Sequence, residues 1–420
     1  MKVLILNQAF HPDVVSTAQH ASDLAAALAE MGDDVTVIAS RRGYDDPTRR
    51  FSRSENWCGV RVLRVLGTSF GKSSRWRRAA DFASFLMTCV WRLLWLPRQD
   101  AVIALTSPPL ISFIAALLVP LKARELVFWS MDLNPDEAIA AGWLRKDSLF
   151  ARTFGWILRY SLRRARTVVA LDRFMAERIE AKGIAAQKIV VLPPWSHDDA
   201  VAFSAPGRAS FRKEHGLEGR FVVMYSGNHS PCHPLQTLMD AAIKLRDEPE
   251  ICFCFVGGGS EMETVKRAAS KHELTNVLCL PYQPREHLAA SLSAADLHVV
   301  VMGDEFVGIV HPCKIYNVLL SGSPVLYIGP TPSHVTELMQ QLQNMVRVHI
   351  CCHGDVTAVV DAIKRERSIC SPRHALASNS TSFSKQRLVR ALAEVVHGER
   401  TAVSDKTNAA VEAALVSAQR

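Results

Sequence analysis

"KVLILNQAFHPDVVSTAQHASDLAAALAEMGDDVTVIAS", residues 2–40, is the stretch on which the fold turns. Its two ends, "KVLILNQAF" and "DVTVIAS", are short and rich in Val, Ile and Leu, as strands buried on both faces of a parallel sheet are. Between them lie a loop, "HPDVVSTA", and the segment "QHASDLAAALAEMG". There Leu24, Ala27, Leu28 and Met31 recur at helical spacing and Gly32 follows as a C-cap. The order is strand, loop, helix, strand, a βαβ unit.

Working outward, the same rhythm continues in "DAVIAL" with "PPLISFIAALLVPLKA", in "ELVFWSMDL", and in "ARTVVALD" with "RFMAERIEAKG". It breaks at residues 191–211, "VLPPWSHDDAVAFSAPGRASF", which are rich in Pro, Ser and Asp. It then resumes through "FVVMYSG", "HPLQTLMDAAIKL", "ICFCFVGGG", "EMETVKRAAS", "NVLCLPY", "DLHVVVM" and "SPVLYIG". At 420 residues the chain suits two or three units, each able to bury its own core. The expected architecture is therefore α/β, two Rossmann-like, doubly wound parallel-sheet domains. The expected bounds are residues 1–200, residues 201–395, and a flexible polar tail over 396–420.

The ten cysteines lie mostly in apolar runs such as "ICFCFVG" without the spacing of a disulfide framework, so they read as reduced core residues. The N-terminal apolar run breaks at Asn7, too early for a signal-peptide core, and a cytoplasmic protein is expected. The formal charge is +8, and residues 41–98 hold 13 Lys or Arg against Asp45, Asp46, Glu55 and Asp81. With no nucleic-acid motif and no interleaved aromatics, nucleic acid is not the expected partner. An anionic membrane surface is. Within this region "ADFASFLMTCVWRLLWLP" places Asp81, Ser84, Thr88 and Arg92 as a thin polar stripe on an apolar helix. It is too short and too charged to span a bilayer. Two readings stay open: a buried or interdomain helix, or a helix in the membrane interface with Trp91 and Trp95 at headgroup depth and Arg75, Arg77 and Arg78 on lipid phosphate.

Ligands of such domains bind beyond the carboxyl ends of the strands, where helix N-termini meet anions. "FVVMYSGNH" puts Gly227 and Asn228 at a strand end with Pro234 expected to start the next helix. "GIVHPCKIYNVLLSG" repeats the arrangement, with Pro312 opening a helix, Lys314 at its mouth and Asn317 three positions on. Both stretches suit a phosphate or pyrophosphate.

The series "MKVLILNQAFHPD", "TSPPL", "MDLNPDEAIAAG", "YSGNH", "FVGGGSE", "NVLCLPYQPREHL" and "PCKIYNVLLSGSPVL" resembles the GT-B glycosyltransferases of family 4, in particular bacterial fucosamine and colanic-acid type enzymes, over nearly all of residues 1–395. The resemblance implies two facing domains, a nucleotide-diphosphosugar donor on the second, an acceptor on the first, and transfer with retention. By position it implies Gly227 and Asn228 at the diphosphate, Lys314 as the Lys of the family's P-x-K-x-Y-E phrase, Tyr282 and Gln283 at the base, and Asp132 near the reacting centre. Two positions depart from the family: Val15 and Ser16, followed by Thr17, stand where paired glycines are usual, and Asn317 stands where an acidic residue holds donor hydroxyls. An amide can still hydrogen-bond a hydroxyl but brings no charge.

His229, Cys232, His233, His311 and Cys313 raise the question of zinc, but they lack paired C-x-x-C knuckles, and neither metal nor other cofactor is expected. Instead His229 and His233 are expected to donate hydrogen bonds to the donor, His311 to line the same cleft, and the cysteines to pack. A His233 that caps its helix, and an Asp132 that caps a turn, are the structural alternatives. UDP is the nucleotide the resemblance implies. A lipid-linked acceptor follows from the basic lobe, which places the protein at the cytoplasmic face of the cell membrane. A nucleotide-sugar epimerase and a non-catalytic nucleotide-sugar binder are the competing functions, the first disfavoured by few carboxylates in the donor loops.

Overall fold

The computed structural model describes residues 1–399 apart from 45, 47, 69, 71–74, 196–201, 343–345 and 370–383. They form two compact units. The first holds Met1–Pro194, Gly308–His311 and the chain from Gln386 on; the second holds Trp195–Val307 and Pro312–Lys385.

The first unit runs β1 (Lys2–Leu6), α1 (Ser16–Glu30), β2 (Asp34–Ser40), β3 (Ser54–Trp57), β4 (Val60–Val65), α2 (Arg75–Trp95), β5 (Gln99–Ala104), α3 (Ile111–Lys122), β6 (Ala123–Trp129), α4 (Asp136–Ala140), α5 (Leu149–Arg164), β7 (Thr167–Ala170), α6 (Arg173–Glu180) and β8 (Ile189–Val191). Its eight strands lie in the order β3-β4-β2-β1-β5-β6-β7-β8, parallel except for the edge strand β3. Val3, Ile5, Val37 and Ile103 are fully buried, which is why these strands read as continuous apolar runs. The connection β1-α1-β2 steps one way along the sheet, whereas β4-α2-β5, β5-α3-β6 and β6-α5-β7 step the other way. With right-handed crossovers α1 covers one face, and α2, α3 and α5 cover the opposite one.

The second unit runs α7 (Ala205–Glu214), β9 (Phe221–Asn228), α8 (Gln236–Lys244), β10 (Ile251–Gly258), α9 (Ser260–Lys271), β11 (Val277–Leu280), α10 (Leu288–Ala294), β12 (Leu297–Val301), α11 (Lys314–Leu320), β13 (Val325–Ile328), α12 (His334–Leu342), β14 (Val348–Cys351) and α13 (Val356–Ser368). Its six strands are all parallel, in the order β11-β10-β9-β12-β13-β14. One core packs Tyr225, Phe253, Phe255 and Val299 under α8 and α13, and a second packs Val222, Met224, Cys252 and Cys254 under α7.

Two details differ from the expected bounds. The last helix, α14 (Lys385–His397), was expected with the second domain but packs in the first unit. There an Arg166 guanidinium donates to Val395 O at 2.8 Å, and His397 Nε2 lies 2.7 Å from Asp33. Amphipathic spacing shows that such a helix must bury Leu388, Leu392 and Val396, but not in which groove. Residues 308–311 likewise join the first unit, where Ile309 O accepts the Leu133 N–H and Val310 bridges Asp132. Of the expected tail, residues 400–420 lie outside the described residues.

Candidate functional site

In the second unit β9 and β10 end side by side, with Gly227 opposite Gly257 and Asn228 opposite Gly258. Gly257 has φ +133° and a Cβ there would lie 2.0 Å from Gly227 O, so only glycine lets the two strand ends approach this closely. A Cβ on Gly227 (φ +131°) would sit 3.1 Å from Cε and 3.2 Å from Nζ of Lys314. The lysine is thereby brought directly over the end of β9.

Lys314 is the first residue of α11 and so stands at its mouth, but Pro312 precedes the helix by two residues, as Pro234 precedes α8 by two. The lysine stem is partly exposed, but Nζ is buried and takes no hydrogen bond among the described residues. It lies 3.7 Å from the centroid of the Tyr225 ring, a cation–π contact. Burial pulls its pKa down to about 7, partly opposed by Cys313. A buried ammonium without a carboxylate is costly in the empty protein. It is what an anionic ligand would satisfy.

The histidines around it are neutral. His229 Nδ1 lies 2.9 Å from Gly227 O and His233 Nδ1 lies 2.7 Å from Val301 O. A carbonyl oxygen only accepts, so each Nδ1 carries the proton and donates it there. Burial, then the charge of Lys314, hold His229 at about 4 and His233 at about 3. Both were expected to donate to a ligand, and their protons are already committed to the backbone. His229 Nε2, buried and without a partner, is left as an acceptor for a ligand hydroxyl or N–H. Sequence spacing carries no signal for this choice of tautomer.

Asn228 is exposed at the strand end, and its carbonyl accepts from Tyr225 Oη at 2.8 Å. Tyr282, 48% exposed, donates to Gly258 O at 3.2 Å, so its ring stands beside the end of β10 where a planar base could stack. Gln283, next to it, donates to Pro281 O. Asn317 is partly exposed, one turn after Lys314 on α11. Lys314, His229, Asn228 and Gly227 are thus brought together; Tyr225, which contacts three of these four, was not singled out from the sequence.

His311 belongs to the first unit, where Nδ1 lies 2.8 Å from Asp172, the N-cap of α6. In the second unit, among the described residues, His229, Cys232, His233 and Cys313 do not bring three ligand atoms within reach of one ion. Cys232 is buried, as expected of a packing cysteine.

In the first unit Asp132 follows β6, and burial together with the Glu137 carboxylate raises its pKa to about 8. Val15 precedes α1 without capping it by a side chain, Ser16 Oγ lies 3.3 Å from His20 Nδ1, and Thr17 is half-buried.

Helix α2 is buried along one side and exposed along the other. Its polar stripe turns towards the protein: Asp81 accepts from Thr68 Oγ1 and from the Phe70 N–H, Ser84 Oγ accepts from the Thr68 N–H, and Thr88 Oγ1 donates to Leu66 O. Phe85, Cys89 and Leu93 are buried, while Trp91 and Trp95 are 65% and 70% exposed. Arg77 is exposed; the side chains of Arg75 and Arg78 lie outside the described set. No helix of the described residues is long and apolar enough to cross a membrane.

Comparison with known proteins gives a consistent picture. A family model described as a glycosyl transferase 4-like domain matches residues 17–195, and one described as glycosyl transferases group 1 matches residues 207–311. The putative colanic acid biosynthesis glycosyl transferase WcaI of Escherichia coli (strain K12) is 24% identical over 392 residues, covering 89% of this chain and 93% of its own. Among solved structures, the lipopolysaccharide glycosyltransferase WaaG superposes with TM-score 0.69 at 14% identity over 94% of this chain and all of its own. Anabaena HepE, solved with UDP and glucose, gives TM-score 0.64 at 16% identity over 99% of this chain and all of its own.

Proposed function

We propose a function from the premise that this chain belongs to the GT-B glycosyltransferases, with a 4-like domain followed by a group 1 domain. It transfers a sugar, with retention, from a UDP-sugar to a membrane-associated acceptor in bacterial polysaccharide biosynthesis. The observation that carries this reading is the buried, unpartnered Nζ of Lys314 at the glycine-rich ends of β9 and β10. A diphosphate placed there meets a full positive charge in a desolvated site, where it is worth most.

In the reaction the bond from C1 of the donor sugar to the diphosphate oxygen breaks, and the acceptor oxygen bonds C1 on the face the diphosphate leaves. The acceptor proton passes to the departing diphosphate. Lys314 stabilises the charge that grows there, so neither a separate protein base nor a metal is required. His229 Nε2 accepts from a donor hydroxyl, Asn317 holds another, and Tyr282 with Gln283 brackets the base. In the first unit the neutral Asp132 donates a hydrogen bond to the acceptor or the sugar. The UDP complexes of HepE and the polysaccharide role in the name of WcaI support the choice of nucleotide and pathway class. The exposed Trp91 and Trp95 support a lipid-anchored acceptor at the cytoplasmic membrane face.

The test is a thermal-shift series with UDP, followed by UDP-sugar turnover with a bacterial lipid extract, with and without EDTA. UDP stabilises the protein, Lys314→Ala removes that shift, and transfer survives EDTA. A new sugar isomer formed without any acceptor would instead identify an epimerase, and UDP binding with no transfer to any extract would identify a non-catalytic binder.

A further inference from the structure

Helices α2, α3 and α5 cover the same face of the first sheet, and α3 packs between the other two. Lys122 Nζ, at the end of α3, donates to Leu94 O and Leu96 O at 2.6 and 3.1 Å. Phe113 near its start meets the rings of Trp156 and Tyr160 of α5 at 6.2 and 5.6 Å. The three helices therefore form one continuous layer.

Each should follow the rule for a surface helix, with apolar residues inward and polar residues outward. The inward halves obey: Phe85 and Cys89 on α2, Ala115 and Val119 on α3, and Leu158 and Leu162 on α5 are buried. The outward lines do not. Met87, Trp91 and Leu94, at spacings of four and three, are exposed on α2, as are Leu117 and Leu121, four apart, on α3. On α5 Leu149, Phe150 and Trp156 are 77%, 70% and 55% exposed, and Leu149 and Trp156, two turns apart, share one line. Scattered exposed leucines are ordinary, but large side chains aligned along the outer edges of three adjacent helices form a patch.

The charge of the same helices is one-sided. Their sequences hold nine Lys or Arg and a single acid, Asp81, which is turned inward onto Thr68 and Phe70. Arg152, Arg159 and Arg163 of α5 flank its outer apolar line and are exposed. On these helices the outward charges beside the apolar strip are cations, which match the anionic headgroups of a bilayer as the strip matches its acyl boundary, and a basic amphipathic helix has the same signature.

We infer that the outer surface of the whole α2–α3–α5 layer, and not α2 alone, lies flat in the interface of an anionic membrane. The inference rests on the lipid-anchored acceptor above and names the surface that reaches it. Insertion of several apolar side chains at once also removes the objection that one helix contributes too little area for stable attachment.

The test is flotation of the full chain with phosphatidylcholine vesicles containing or lacking phosphatidylglycerol. Wild type floats with the anionic vesicles at low salt and is released as salt rises. Leu149→Ser/Trp156→Ser on α5 and Leu121→Ser on α3 each lower partition about fivefold or more, as Trp91→Ser does, with unchanged melting curves. Contact through α2 alone predicts no effect of the α5 and α3 substitutions, and that result would overturn the inference while leaving the membrane reading intact. Wild type that ignores both vesicle types overturns both. Should a variant melt early, hydrogen exchange of wild type decides instead: vesicles slow exchange in peptides from 111–122 and 149–164, and unchanged rates there refute the layer. Concentration-dependent self-association through these residues without vesicle binding would show that a second copy covers the face.

Discussion

The Nζ of Lys314 stands 3.7 Å over the ring of Tyr225, and it donates no hydrogen bond to any described residue. A carboxylate in place of the ring would neutralise the lysine and leave little for a ligand. An aromatic face steadies the ammonium and leaves its donors free. In the proposed reaction the diphosphate charge grows as the glycosidic bond breaks, so Lys314 should act more on the transition state than on the bound donor. Lys314→Ala should therefore lower kcat by a hundredfold or more, roughly 2–4 kcal/mol of barrier, with a smaller change in donor KM. Near-normal kcat in a folded variant would place the diphosphate elsewhere.

The pH dependence of donor binding follows from the same residue. Lys314 has a pKa of about 7 in the empty site, and a diphosphate requires the ammonium. Donor affinity is full below that value, and the apparent Kd rises about tenfold per pH unit above it. Folding stability responds in the opposite sense. The unfolded chain keeps this proton up to the ordinary value of 10.5, so between about 7 and 10.5 the lysine's contribution to the empty protein rises with pH. His229, His233 and Cys313 act on or feel the same charge, and both histidines titrate well below this window. Tyr225→Phe keeps the ring and should keep the midpoint of the binding profile; Tyr225→Leu should move it down by roughly one unit. Isothermal titration with UDP from pH 6 to 9 measures all three, and equal midpoints for Phe and Leu would remove Tyr225 from the account.

Asn317 tests the departure from the family's acidic residue. It lies one turn from Lys314 on α11 and carries no charge. Asn317→Ala should mainly raise donor KM, whereas Asn317→Glu should preserve or raise activity if the amide substitutes for a carboxylate on donor hydroxyls. A collapse of activity in the Glu variant would mean that the site is built for the amide, since a second charge there would pair with Lys314 in place of the donor.

Much of this was legible in residues 2–40 and in the apolar runs after them, because a strand buried on both faces leaves a nearly unbroken Val and Ile signature. The burial of the Lys314 ammonium was legible for a related reason: a lysine inside "HPCKIYNVLL" has few solvated positions open to it. The direction in which α2 faces was not. A stripe of Asp81, Ser84 and Thr88 on an apolar helix reads as its wet side, yet it faces Leu66, Thr68 and Phe70, whose backbone groups it satisfies. Periodicity separates two faces without saying which one the protein takes. The tautomer of His233 and the return of α14 to the first unit depend on partners far away in the chain, Val301 for His233 and Arg166 for α14, which local pattern does not encode.

Asp132 gives the sharpest test of a charge state. Its carboxyl is held at about 8 by burial and then by Glu137, whose own carboxylate accepts from Asn134 Nδ2 at 3.1 Å and so stays in place. In the proposed reaction it should therefore serve at pH 7 as a hydrogen-bond donor and not as a base. Asp132→Asn keeps shape, neutrality and a donor, and should retain most of the transfer activity at pH 7, while Asp132→Ala should not. The wild type should lose activity as pH rises through about 8, where the Asn variant stays flat. Stability follows with the opposite preference: the folded protein holds a proton that the unfolded chain releases near 3.8, so the contribution of Asp132 is lost as pH rises from 3.8 towards 8. Asp132→Asn should therefore melt higher than wild type at pH 8, and Glu137→Gln should bring the wild-type activity loss to lower pH by removing the neighbouring charge. An inactive but well-folded Asn variant at pH 7 would show that the ionised carboxylate is the working form, and the proton would then have to be assigned to the acceptor's attack instead.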